Sequence, residues 1–355
     1  MPMISLLNPP TLADASHQVA SPGGYEWWRF DAEDPSGDLR MVAIFFQGFV
    51  FHPGYVRAYR KYRRWPTRNA PPLPSQFPCV YFSMYRGREL AGEFICQYPV
   101  ENGSVSDSAN ASRIGVTLGS NRFSFNEDGS LRLQLNGQSQ SQKISATFRF
   151  MPRVVHQPME RQFFSRTWSR ADHSWVIANP LSDVSGEVEI SDSHHEKNGS
   201  FTMNGLGYHD HQYGTGPIGP GLKRWMCGRV LMEDHAAMFQ YAQPRDVHQP
   251  DDVYMVEADA FAMRELPVGR FNADWSLKSS KLLRYPAWVE AGAMQLVNPK
   301  VIDSSPYHLR VVYDASVRGA SGKALCEITY PHRLRWPILG RMIEKKILVA
   351  PDRAG

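Results

Sequence analysis

The chain has 355 residues, 42% of them hydrophobic, with 39 basic and 35 acidic side chains for a net charge of +4. That length exceeds the size at which a single core keeps growing, so two domains and ample burial are expected, and so small a net charge excludes the global field of a nucleic-acid binder. The N-terminus lacks a basic leader region and no run of about 18 apolar residues occurs, so the expectation is a soluble, cytoplasmic protein.

Residues 1–24 read as a loose N-terminal arm that ends at Pro22-Gly23-Gly24. Tyr25 to Asp31 alternates, a turn follows at Asp34-Pro35-Ser36-Gly37, and Met41 to Phe46 is strongly β-prone, so the three predict a hairpin. Residues 52–78 hold six prolines and a basic-aromatic cluster at 57–65, a long stretch without clear periodicity that reads as a lid or binding loop. The cluster offers either a solvated loop, a site for an anionic substrate, or peripheral contact with an anionic membrane.

From Cys79 onward short strands recur at hairpin spacing: Val80 to Tyr85 with Glu93 to Tyr98, and Arg122 to Phe125 with Leu131 to Leu135. Ile144, Ala146, Phe148 and Phe150 then share one face of a further strand. The stretch Gly24-Tyr25-Glu26-Trp27-Trp28 is echoed by Gly207-Tyr208-His209-Asp210-His211, which suggests two similar β domains in tandem, divided near residues 191–204. The division is placed as an N-terminal domain over 25–200 and a C-terminal domain over 201–355. Leu334 to Ile347 reads as the only substantial helix. Many short strands with few helical periods give an all-β protein of two barrels or sandwiches, with ligands in a barrel mouth or between domains. The letters Gly214-Thr215-Gly216-Pro217-Ile218-Gly219 fit a dinucleotide pattern, but no strand-turn-helix context surrounds them. Cys79, Cys96, Cys227 and Cys326 lack CxxC spacing and read as buried free thiols.

The densest chemistry lies in Gly205-Leu206-Gly207-Tyr208-His209-Asp210-His211-Gln212-Tyr213. In an extended chain Tyr208, Asp210 and Gln212 share one face and His209, His211 and Tyr213 the other. His209 and His211 form the start of a metal site, for which His194, His195 and Glu196 are the nearest further ligands in sequence, though nothing ties them to the pair. Alternatively Asp210 caps the turn or pairs with Arg224 or Arg229.

The Gly-x-Gly-Tyr-His-Asp-His stretch resembles the carotenoid 1,2-hydratase (hydroxyneurosporene synthase) family, which is related to AttH-like, lipocalin-like proteins that include tocopherol cyclases and fungal Diels–Alderases. Glu26-Trp27-Trp28-x-Phe30-Asp31 and Tyr81-Phe82-Ser83-x-Tyr85-Arg86 resemble the same superfamily, over roughly residues 24–350. The resemblance implies two lipocalin-like β domains, an apolar ligand cavity, and addition of water to a prenyl-end double bond without a cofactor. It assigns the reaction to Tyr208 and Asp210 with His173 and Trp175 upstream. The chain departs from the family pattern at Gln212-Tyr213, where Asn and then Trp or Phe are usual.

Protonating an alkene requires a carboxylic acid that keeps its proton near neutral pH, and burial among aromatic rings favours that form. Asp210 is the candidate acid, and Tyr208 or His173 can hold water. Trp27, Trp28, Trp175 and Trp225 are candidates to face the cation, with at most one of Trp27 and Trp28 at the pocket because they point to opposite faces. The expected activity is hydration or cyclisation of a lipophilic, terpenoid or carotenoid-like substrate. Two alternatives stand beside it: a pericyclase in which Tyr208 or Gln212 polarises a carbonyl, and a carrier that binds without reacting.

Overall fold

In Tyr25–Glu33 every residue is buried, on both faces, because this strand separates two apolar layers. The computed structural model describes residues 14–99, 103–105, 115–154, 159–163, 173–192, 199–219 and 221–350. The first half contributes β1 (Tyr25–Glu33), β2 (Leu39–Gln47), α1 (Pro53–Arg64), β3 (Cys79–Arg86), β4 (Glu89–Gln97), β5 (Gly103–Val105) and β6 (Gly115–Leu118). There follow β7 (Asn121–Phe125), β8 (Leu131–Gln138), β9 (Gln142–Pro152), β10 (Met159–Phe163), β11 (His173–Asp192) and β12 (Gly199–Gly214). The second half holds β13 (Leu222–Leu231), β14 (His235–Pro244), β15 (Asp252–Asp259), β16 (Met263–Glu265), β17 (Phe271–Ala273), β18 (Leu277–Lys278) and β19 (Arg284–Tyr285). It ends with β20 (Val289–Ala291), β21 (Met294–Ser304), β22 (His308–Val317), β23 (Ala320–Thr329), α2 (Pro337–Glu344) and β24 (Leu348–Val349).

The first sheet runs β24-β4-β3-β2-β1-β12-β11-β9-β8-β7-β6-β5, with β10 also on β11. It curls until β4 lies against β8 and β9, and encloses Trp28, Phe30, Phe45, Phe82, Phe123 and Phe148. The second runs β16-β15-β14-β13-β23-β22-β21-β20-β17, around Met226, Phe239, Tyr313 and Cys326. A third apolar layer joins the backs of the two sheets, and brings Trp27, Trp175 and Tyr208 of the first against Trp225, Met238 and Tyr254 of the second. The all-β, two-barrel expectation therefore holds.

Five details differ from the sequence reading. Strand β12 crosses 200/201 and belongs wholly to the first sheet, so the changeover falls in the Gly/Pro bend after Gly214, and β24 returns to the first sheet as a parallel partner of β4. The echo between residues 24–28 and 207–211 is no tandem repeat. The two stretches are neighbouring antiparallel strands, with Trp27 opposite Gln212 and Arg29 opposite Asp210, and they look alike because they share the same two layers.

The expected lid at 52–78 contains the longer of the two α-helices among the described residues. His52 caps it by accepting from the Gly54 and Tyr55 amides, and Pro53 occupies the first turn, where its missing N–H costs nothing. Tyr55, Tyr59 and Tyr62, spaced by four and three, carry the helical period that the prolines around it obscure. At the other end only Pro337–Glu344 is α-helical, after a 3₁₀ turn at Pro331–Arg335. The N-terminal arm, from Asp14 onward, is docked rather than loose: Asp14 and Ser16 bond to His209 and Glu26. The four cysteines are free, as expected.

Candidate functional site between the two sheets

Strand periodicity builds the site. On β12, Tyr208, Asp210 and Gln212 face the layer between the sheets, while His209 and His211 face the interior of the first barrel, where each meets a carboxylate. The motif's glycines are there for backbone approach: a Cβ on Gly207 would run into Val184 and Phe150, and one on Gly205 into the carbonyl of Glu33. On β1 the same period sends Tyr25, Trp27, Arg29 and Asp31 to the layer. From β11 come His173 and Trp175.

Asp210 is 2% exposed, and the donors bonded to it are neutral. Tyr208 Oη donates to Oδ2 at 2.8 Å, Trp175 Nε1 donates to Oδ2 at 3.2 Å, and Gln212 Nε2 lies 3.1 and 3.0 Å from the two oxygens. Burial, the largest influence, raises its pKa above the ordinary aspartate value of 3.8; Arg29, Gln212 and Tyr208 offset part of that rise. Arg29 directs its own charge elsewhere, to Asp31 at 2.9 Å and Glu327 at 3.6 Å. The candidate turn or ion pair is thus not what holds Asp210: Arg229 pairs with Asp31, and Arg224 lies over the Trp275 ring at 4.0 Å.

His173 is held by the Tyr25 hydroxyl, 2.7 Å from Nδ1, and faces Gln212. Burial pushes its pKa down to about 3, so the ring is neutral at physiological pH. Burial pushes the Tyr208 phenol well above its usual value, so it remains a hydroxyl. An aromatic wall surrounds these groups. Trp27 stacks on Tyr25 with ring centroids 4.9 Å apart, Trp225 meets His173 edge-on at 5.2 Å, and Tyr254 meets Trp175 edge-on at 6.1 Å. Trp225 Nε1 is occupied by Gln240 at 3.1 Å.

The structure therefore brings Asp210, Tyr208, His173, Trp175, Trp27, Trp225 and Gln212 together. It does not bring Trp28, which is fully buried in the first barrel, stacked on His211 at 4.6 Å and bonded to the Asp14 carbonyl. One residue of register separates Trp27 from Trp28, and one residue reverses the face. The metal reading does not gather either. His209 uses one ring nitrogen on Asp14 and the other on the Arg29 carbonyl, and His211 engages Glu26. Among the described residues no three His, Cys, Asp or Glu side chains cluster as ligands, and His194, His195 and Glu196 lie outside the described residues.

Sequence reasoning missed the residues that surround this group. Tyr25 follows from the alternation that selects Trp27, and Arg29 and Asp31 continue it. Their partners Arg229 and Glu327 come from strands far away in sequence, so no local signal marks them. Glu327 also receives Arg310 at 2.6 Å, and Arg310 in turn contacts Tyr81, Ser83 and Tyr85 at 2.7, 2.9 and 2.6 Å. This buried ionic chain fastens the two sheets beside the candidate acid.

The family model described as carotenoid hydratase CrtC matches residues 43–354. A curated relative, hydroxyneurosporene dehydrogenase of Chlorobaculum tepidum, is 27% identical over 314 residues, covering 84% of this chain and 79% of the relative. Among solved structures, a protein described as a putative AttH from Nitrosomonas europaea is 16% identical with a TM-score of 0.54, covering 93% of this chain and 98% of its own. CghA is 10% identical with a TM-score of 0.58, covering 87% and 88%, and kievitone hydratase from Nectria haematococca is 9% identical with a TM-score of 0.56, covering 91% and 93%. At those identities the likeness shows the shared fold.

Proposed function

Because this chain belongs to the carotenoid hydratase CrtC family, we propose that it is a hydratase of a lipophilic, carotenoid-like isoprenoid, with Asp210 as the acid that starts the reaction. The observation that carries this reading is the Asp210 carboxyl itself, buried among indole and phenol rings, bonded to three neutral donors and shifted upward by burial. If Asp210 holds its proton, the Tyr208 hydroxyl can rotate to accept that bond, since a phenol both donates and accepts.

The proton passes from the Asp210 carboxyl to the less substituted carbon of a C=C bond, whose π electrons form the new C–H bond. A tertiary carbocation remains on the neighbouring carbon. Trp27, Trp175 and Trp225 offer it π faces, each contact worth about 0.5–2 kcal/mol. Arg29 opposes this charge only in part, because Asp31 and Glu327, which it shares with Arg229 and Arg310, offset some of its field. Water then supplies its lone pair to the cation and loses a proton. A His173 with a pKa near 3 is too weak a base to keep that proton, so it orients the water while the Asp210 carboxylate recovers the proton and the acid is regenerated. Cyclisation would differ in one step, with an internal alkene in place of water.

The test is incubation of the protein with an acyclic carotenoid in D₂O, with the product read by mass spectrometry. The expected product has gained one water, with one deuterium on the carbon next to the new hydroxyl carbon. A product of unchanged formula carrying no carbon-bound deuterium would instead support pericyclic chemistry, and unreacted ligand that copurifies would support a carrier.

A further inference from the structure

Charge is segregated in this protein. Residues 52–70 and 331–347 contain eleven Lys and Arg against one acid, a net +10, whereas the whole chain carries +4, so the remaining residues total −6. These two segments form α1 and the 3₁₀ turn with α2, which pack side by side and are joined by Arg57 and Glu344 at 2.7 Å. The same two segments leave large apolar side chains in solvent: Trp65, Trp336 and Met342 are about half exposed, and Ile338 is 71% exposed. Arg60, Arg63, Arg64, Arg335 and Arg341 stand exposed among them. A solvated helix face has no use for a tryptophan-isoleucine-methionine cluster, and a protein partner's core seldom accepts so many uncompensated cations.

We propose that the α1–α2 face docks on an anionic phospholipid bilayer, and that the groove beside α1 is the entrance by which a lipophilic substrate passes from the bilayer to the site. The combination of exposed Trp and aliphatic side chains with a ring of arginines suits the headgroup boundary, where apolar groups enter and cations meet phosphate. Among the described residues no helix is long and apolar enough to cross a membrane, so the contact is peripheral on this face.

Two further observations agree. The groove, about 440 Å³, is lined by Val50, Tyr55, Tyr59, Pro217, Ile218 and Leu334 beneath Arg60, Arg63 and Arg64. Val50, Ile218 and Leu334 belong to the same apolar layer as Trp175, Tyr208 and Trp225. At its inner end the Tyr55 hydroxyl bonds to the Gly24 carbonyl, one residue before the Tyr25 that holds His173. Around the edge of the same face lies a recess of about 530 Å³ walled by Lys223, Arg224, Arg245, Arg284, His332 and Arg333. There the buried Arg224 leaves Nε and Nη1 without a hydrogen-bond partner, a fork suited to a phosphate oxyanion. Burial, and then the charges of Arg245 and Arg60, lower the pKa of Arg335 beside it.

The docking surface stands on its own observations, whereas the entrance rests on the lipophilic-substrate reading. The experiment is flotation of the protein with vesicles of phosphatidylcholine alone and of phosphatidylcholine mixed with phosphatidylglycerol. Wild type should float with the mixed vesicles only, and release as salt is raised. Arg60→Ala/Arg63→Ala/Arg64→Ala should bind about hundredfold more weakly, at roughly fivefold per charge, and Trp336→Ala/Ile338→Ala about tenfold or more. Phe261→Ala, at a 91% exposed position on the β15–β16 turn, should bind as wild type. Wild type that stays with neither vesicle, or surface variants that float as well as wild type, overturns the docking. For the entrance, the arginine variant should turn over substrate more slowly from vesicles but equally from detergent. Equal rates from vesicles overturn the entrance and leave the hydratase reading intact, whereas no turnover by wild type in either medium counts against the hydratase reading and leaves flotation to decide the docking.

Discussion

Asp210→Asn preserves the size of the side chain and removes its dissociable proton, so it separates chemistry from packing. Tyr208, Trp175 and Gln212 all donate to the carboxyl. All three donors reach Oδ2, so an asparagine oxygen in that place keeps them, while its amide replaces Oδ1 opposite Gln212 Nε2 and loses that contact at a cost of about 0.5–1.5 kcal/mol. The change also removes a carboxyl whose charged form burial opposes, a relief of about 1.4 kcal/mol per unit of upward shift. The two effects oppose each other, and stability at neutral pH should stay within about 2 kcal/mol of wild type. Their balance depends on pH in a definite sense. A raised folded pKa means that the native state keeps a proton the unfolded chain has lost, so wild type loses stability relative to the variant as pH rises from 3.8 through the folded value. The full difference is present above it. Denaturant melts across that range measure this. Turnover should fall about 10²- to 10⁴-fold, the usual worth of a positioned acid, while quenching of tryptophan fluorescence by the substrate persists. A folded variant that hydrates within about tenfold of wild type would refute Asp210 as the acid.

Trp225→Leu should slow turnover by about 2- to 30-fold, the rate equivalent of one cation–π contact, whereas Trp28→Phe should leave turnover unchanged and cost about 1–3 kcal/mol, as the Asp14 carbonyl loses its donor; steady-state kinetics and melts distinguish the two. Arg229→Met leaves Asp31 with Arg29 alone and should cost about 1–3 kcal/mol by chemical denaturation, the worth of one hydrogen bond to a charged group. Gln212→His places an ionisable base against Asp210 and should lower neutral-pH turnover nearly as far as Asp210→Asn, with activity recovering in part as pH falls; a flat pH–rate profile at wild-type level would count against the need for a neutral neighbour.

Much of this was legible because strands have a period of two. The split of Tyr208, Asp210 and Gln212 from His209 and His211 needs only the pleat, and the hairpins at 25–46 and 122–135 announce themselves by their turns. Periodicity says which residues share a face, but it does not say what the face meets. The choice between Trp27 and Trp28 required knowing which layer each side of β1 enters. Arg229 and Glu327 lie on strands brought in only when the second sheet packs on the first. The helix at Pro53–Arg64 was hidden by prolines that in fact mark its start, and the boundary at 200 failed because β12 continues through a polar stretch that composition treats as linker.

The two faces of the β1–β12 pair explain why the candidate acid sits between the sheets rather than inside a barrel. Glu26 and Asp210 lie on these adjacent strands and both are buried, and burial alone pushes both carboxyls up. On the barrel side Glu26 meets His211 at 2.9 Å, with the His17 amide and Ser16 hydroxyl, and these together bring its pKa below the ordinary value. Such a carboxylate is a structural anion. On the other side Asp210 meets an indole, a phenol and an amide, while Arg29, the cation that acts most on it, is shared between Asp31 and Glu327. Without Asp31 and Glu327 the charge of Arg29 would act on Asp210 unopposed and favour its anion, while Arg229 and Arg310 keep the two acids paired on their far sides. The inter-sheet ion pairs therefore do more than join two barrels: they reduce the field of Arg29, which lowers the Asp210 pKa by less than burial raises it.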